Sequence, residues 1–134
     1  MKRNLGPWIL FFTFLANFVF GFGLHLYLRT ALFDITLHFL GGLGVYLTLY
    51  QFVSKDFQKV PRWQFIVLLI GATILVGVVW EFTEYISSTT IGTIGGVELI
   101  GDLRDTLEDL FMDILGAVVG SLIYPGLRKR RRTS

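Results

Sequence analysis

Four apolar stretches, each long enough to cross a lipid bilayer as a helix, divide this chain almost end to end: about Trp8 to Leu28, Ala31 to Val53, Trp63 to Ile86 and Asp105 to Tyr124. A spanning helix needs ~20 mostly apolar residues, because only a helix or a closed barrel satisfies its backbone polar groups in hydrocarbon. Pro7 suits a helix start, Pro61 and the charged segment 54–62 separate the second and third stretches, and Pro125-Gly126 closes the fourth. The spacing predicts an all-α, polytopic membrane protein, a bundle of four transmembrane helices forming one domain over residues 1–134. Composition agrees, since 53% hydrophobic residues and a mean hydropathy of +0.63 leave too little polar surface for a water-soluble globule.

Lys2 and Arg3 precede the first apolar run, as in a signal peptide, but the run is long and has no clean small-x-small cleavage site, so it reads as a retained anchor. Of the 12 Lys and Arg residues, all but Arg29 and Arg104 fall on one side if the N-terminus is inside. By the positive-inside rule both termini are therefore cytoplasmic and the chain is a multi-pass protein of the cell membrane. The basic tail, 128–134, follows an apolar helix directly and is expected to touch anionic lipid rather than nucleic acid. Between Ser87 and Gly101 lies a Ser/Thr/Gly-rich stretch, too polar to span and too apolar for a solvated linker, which reads as an interfacial lid.

With this topology nearly every acid lies in the outer half: Asp34, Glu81, Glu84, Glu98, Asp102, Asp105, Glu108, Asp109 and Asp113, together with His25 and His38; Asp56 alone is cytoplasmic. Helical spacing aligns them. Asp34 and His38 are four apart, Glu81 and Glu84 three apart, and Asp105, Asp109 and Asp113 repeat every fourth residue. At the rise of a helix, His38 lies ~10 Å inside the outer end of the second span. One ionised group at a helix centre costs about 2.5–3.5 kcal/mol, so these side chains must face one another rather than lipid. Facing one another they repel, and Arg29 and Arg104 cannot neutralise them all.

A divalent cation resolves the conflict. Oxygen ligands with one or two imidazoles suit Mg, Mn, Zn or Fe, and carboxylates and histidines projecting inward from bundle helices hold such ions. The candidate ligands are Asp34, His38, Glu81, Glu84, Asp105, Asp109 and Asp113, with Glu81, Glu84 and Asp109 the candidates for catalytic acid–base work. The chain has no cysteine, which removes thiolate ligands and a thiol nucleophile. Nucleotide-binding glycine loops, G-x-S-x-G and H-E-x-x-H are also missing.

Other polar groups have simpler readings. Asp102-Leu-Arg-Asp105 resembles a helix N-cap, Glu108 lies off the aspartate stripe and is placed to pair with Arg104, and His25 suits an interfacial position. Trp8 and Trp63 read as aromatic anchors, Trp80 as a wall of the polar site, and Gly116 with Gly120, like Gly41, Gly42 and Gly44, as close helix contacts.

The segments FDITLHFLGG, WEFTEY and GDLRDTLEDLFMDILGA together resemble the YjdF-like family of small bacterial and archaeal membrane proteins and, more remotely, are similar to VanZ-like proteins. The likeness runs from Phe33 to Gly120, and it implies the same polar positions, Asp34, His38, Glu81, Glu84, Asp105, Asp109 and Asp113, with Gly101-Asp102 matching a further element. It implies no established reaction. The residues leave three functions open: a metal-dependent hydrolase or transferase acting on a lipid or envelope substrate at the outer interface, a cation or proton transporter, or a non-catalytic membrane assembly protein. A homo-oligomer is compatible with all three.

Overall fold

The computed structural model describes residues 4–24, 26, 30–90 and 103–124, which are helices and turns with no strand among them. Helix α1 (Leu5–Ala16) passes without interruption into a π-helical segment, Asn17–Phe22; α2 spans Ala31–Val53, α3 Arg62–Thr90 and α4 Leu103–Ile123. Thr30 explains where α2 begins: its backbone is extended and its hydroxyl accepts the Leu32 N–H at 3.2 Å. Pro61 opens α3, its carbonyl accepting the Phe65 N–H at 3.1 Å.

Three expected boundaries move by three residues or more, the largest being the end of the first helix, whose helical winding stops at Phe22, with bends at 23–24, rather than running to Leu28. The third helix continues to Thr90 rather than stopping near Ile86, and its terminal threonines satisfy their hydroxyls on their own helix, Thr89 Oγ1 donating to the Tyr85 carbonyl at 2.9 Å and Thr90 Oγ1 to the Ile86 carbonyl at 2.5 Å. The first helix starts at Leu5 rather than Trp8. The remainder of the expected lid, 91–101, the basic tail 128–134, and the residues Lys2, Arg3, His25, Arg29, Glu98 and Asp102 lie outside the described residues.

Neighbouring contacts give the helix directions. Gly6 abuts Leu47 and Thr48, and Gly44 abuts Ile9 and Leu10, so α1 runs antiparallel to α2. Tyr50 meets Phe65 and His38 faces Glu81, making α3 antiparallel to α2, whereas Gly42 lies on Asp113 and Gly120 on Tyr46, which makes α2 and α4 parallel. The α2–α4 seam is the closest. A Cβ at Gly42 or Gly116 would strike the backbone of the opposite helix, so the small residues set this approach.

The interior is split along its length. Tyr46, Leu47, Phe65, Leu69 and Ala117 form a buried apolar core at the end near the 54–59 turn. The opposite half buries His38, Glu81, Glu84, Asp109 and Asp113. Outside, Phe11, Phe18, Leu75, Phe82, Phe111 and Leu122 are exposed, an apolar belt that water solvates poorly and lipid solvates well. Ala31–Val53 and Arg62–Ser87 are each long and apolar enough to cross a membrane. By the same measure α4, with Arg104, Asp105, Glu108, Asp109 and Asp113, does not qualify, and the apolar part of the first helix runs only from Leu5 to Gly21.

Candidate metal centre

Each polar stripe comes from a different helix, and the three converge on His38. From α2, one turn earlier, Asp34 Oδ1 lies 3.8 Å from His38 Nε2. From α3, Glu81 Oε1 lies 3.9 Å from the same nitrogen, and from α4 Asp109 Oδ2 also lies at 3.9 Å. Asp113 approaches the other ring nitrogen, its Oδ2 standing 3.5 Å from Nδ1. The imidazole is 6% exposed, Glu81 8% and Asp113 5%.

Glu81 Oε1 and Asp113 Oδ2 are buried and have no hydrogen-bond partner. Such atoms are rare in folded proteins, because a buried charged oxygen without a partner forfeits its hydration for nothing. Two groupings bring donor atoms within 4.8 Å of one another: Asp34, His38 and Asp109, and His38, Glu81 and Glu84. Both share His38. Tetrahedral ligands ~2.0–2.2 Å from one ion are ~3.3–3.6 Å apart, so side-chain movements of about an ångström close either group around a cation.

The remaining candidates sort by position. Asp105 is half-buried, close enough to act electrostatically on Asp34 and Asp109, but belongs to neither group. Glu108 turns outward and pairs with Arg104 at 2.7 Å, both exposed, so this guanidinium is committed to the surface. The Thr106 hydroxyl is within hydrogen-bonding reach of Glu81.

Asn17 is the residue that sequence reasoning missed. The structure buries it to 7% exposure at the start of the π-helical segment, level with Leu37 and His38, where it lines a cavity with Asp34, His38 and Asp113. A lone amide in an apolar helix was the available signal. Gly77 was missed too: a Cβ there would collide with the Asp113 carboxylate, so α3 carries no side chain where that group sits.

The fold and site define a helical membrane protein with a buried acidic and histidine cluster. Residues 1–130 match the family described as "Predicted membrane protein (DUF2238)", and the chain belongs to that family. No curated protein and no solved structure matches it. Nothing in these comparisons connects the chain with VanZ-like proteins.

Proposed function

We propose that the chain is a four-span protein of the cell membrane, a single domain with cytoplasmic termini, that holds a divalent cation at His38 in its extracytoplasmic half. The observation that carries this reading is the pair of buried, unpartnered oxygens, Glu81 Oε1 and Asp113 Oδ2, facing an imidazole that is already ringed by carboxylates. A cation supplies what Glu81 Oε1 lacks, and Asp113 Oδ2 faces the ring nitrogen on the other side. Nε2 and a subset of Asp34, Glu81, Glu84 and Asp109 are its ligands, and Asp113 orients the ring from Nδ1. Asp105 sits at the rim.

The reaction this site fits is metal-assisted hydrolysis or group transfer on a lipid headgroup or envelope intermediate, with Glu81, Glu84 or Asp109 moving the proton. The depth of His38 supports a substrate that itself resides in the membrane. A transporter is the weaker reading, since Tyr46, Leu47, Phe65, Leu69 and Ala117 close the other half of the bundle with an apolar core. A YjdF-like identity is compatible with the family membership. The tail at 128–134 contacts anionic lipid, and a homo-oligomer fits this reading as well as a monomer.

Purified protein in mild detergent, repleted with Mg, Mn, Zn and Fe and measured by mass spectrometry, tests the site. Stoichiometric metal in the wild type, lost in a folded His38→Ala/Asp109→Asn variant, is the expected result. No metal in either protein would overturn the proposal in favour of a proton-linked or assembly role.

A further inference from the structure

The bundle is open between α1 and α3. α1 packs on α2 and α3 on α4, and at the level of the site α1 and α3 meet through Phe14 and Trp80, edge to face at 5.6 Å. Behind that contact lies a cavity of about 240 Å³. Leu10, Val45 and Val76 form its apolar length, and Asn17, His38 and Asp113 its polar end. Phe14 and Val76 line it and are also 46% exposed each, so it reaches the outer surface along this seam.

In a bilayer that surface faces hydrocarbon, so what enters from it is a chain of methylenes and not a hydrated solute. The far end differs: Asp113 Oδ2, without a hydrogen-bond partner, awaits a polar group. An apolar ligand fills a dry cavity of ~150 Å³ completely enough to bind as benzene does, whereas drug-sized sites run to ~300–1,000 Å³. The intermediate volume fits one chain segment, not a two-chain lipid body.

We propose that this lateral cavity binds a single hydrocarbon chain of a membrane amphiphile and presents its uncharged polar end, a hydroxyl or ester, to His38 and Asp113. An anionic end would meet carboxylates. The inference deepens the metal-site reading by naming the substrate class, and it rests on that reading only for what happens at the polar end.

The full chain in phosphatidylcholine nanodiscs, photolysed with a hexadecanol carrying a chain-end diazirine and mapped by peptide mass spectrometry, tests it. The expected result is saturable labelling at Leu10, Val45 or Val76, competed by plain hexadecanol, above that at the outward residues Leu75 and Phe111. Val45→Phe fills the cavity and removes the saturable label while keeping the wild-type metal content, which also reports its folding. Val76→Phe at the mouth does the same should Val45→Phe misfold. His38→Ala/Asp109→Asn loses the metal and keeps the label. Saturable labelling without metal in any protein would sink the metal site and leave the chain site standing. Uniform, unsaturable labelling, or saturable label persisting in both folded phenylalanine variants, would overturn the chain site.

Discussion

The two nitrogens of His38 face different partners: Nδ1 has Asp113 Oδ2 at 3.5 Å, while Nε2 looks toward Asp34, Glu81 and Asp109 at 3.8–3.9 Å. A carboxylate beside Nδ1 favours the tautomer protonated there and leaves the Nε2 lone pair for a ligand. Asp113→Asn should therefore weaken metal binding by about 10–100-fold while leaving the stoichiometry at saturating metal unchanged, because it disturbs an orienting group. A metal titration reads this directly. Complete loss at saturation would make Asp113 a ligand, and an unchanged affinity would remove it from the site.

Glu81 separates two opposing effects. Without a cation its buried carboxylate repels its neighbours; with one it is attractive. Glu81→Gln should raise the thermal midpoint of the metal-free protein and reduce the further rise on adding metal. In the wild type a ligand at a hundred times its dissociation constant stabilises by ~2.7 kcal/mol. Thermal unfolding with and without metal checks both signs, and a midpoint lowered in the metal-free variant would contradict the repulsion.

Gly42 and Gly116 should tolerate nothing larger. Introducing Leu at either forces α2 and α4 apart, and overpacking of this kind costs about 1–3 kcal/mol. Gly71 is the internal control, for a Cβ there meets nothing within 4 Å and Gly71→Ala should be neutral or mildly stabilising. Unfolding in detergent compares the three. Equal effects at Gly42 and Gly71 would show that the seam is looser than described.

Orientation has its own test, made simple by a chain without cysteine. Lys55 and Thr89 are exposed near opposite ends of α3. A single cysteine introduced by Lys55→Cys should react with an impermeant maleimide only from the cytoplasmic side, and Thr89→Cys only from outside. The opposite pattern would invert the topology.

Much of this arrangement was legible beforehand, for local reasons. α2 occupies the expected 31–53 because a capping Thr30 and the break after Val53 both act within a turn of the residues they govern. The stripes Asp34/His38 and Asp109/Asp113 follow from helical spacing alone, and so does the Arg104–Glu108 pair. What remained hidden depends on how one helix is rotated against another. No spacing within α4 tells that Asp113 meets Nδ1 while Asp109 meets Nε2, or that Asp105 stands aside. Likewise Asn17 joins the site only through the packing of α1 on α2.

The π-helical turn at Asn17–Phe22, closed by the Gly23 N–H on the Phe18 carbonyl at 3.1 Å, has a consequence for length rather than chemistry. A π-turn accommodates one more residue than an α-helix of the same rise, so this helix is wound around a surplus residue. Each residue of an α-helix advances the face by about 100°. Deleting one residue from 17–22 would let the segment relax to ordinary winding with the faces on either side kept, whereas the same deletion in an uninterrupted α-helix would turn everything beyond it by that angle. In this stretch a single deletion is absorbed rather than transmitted, and homologues that lack the surplus residue should present the same face of their first helix to His38.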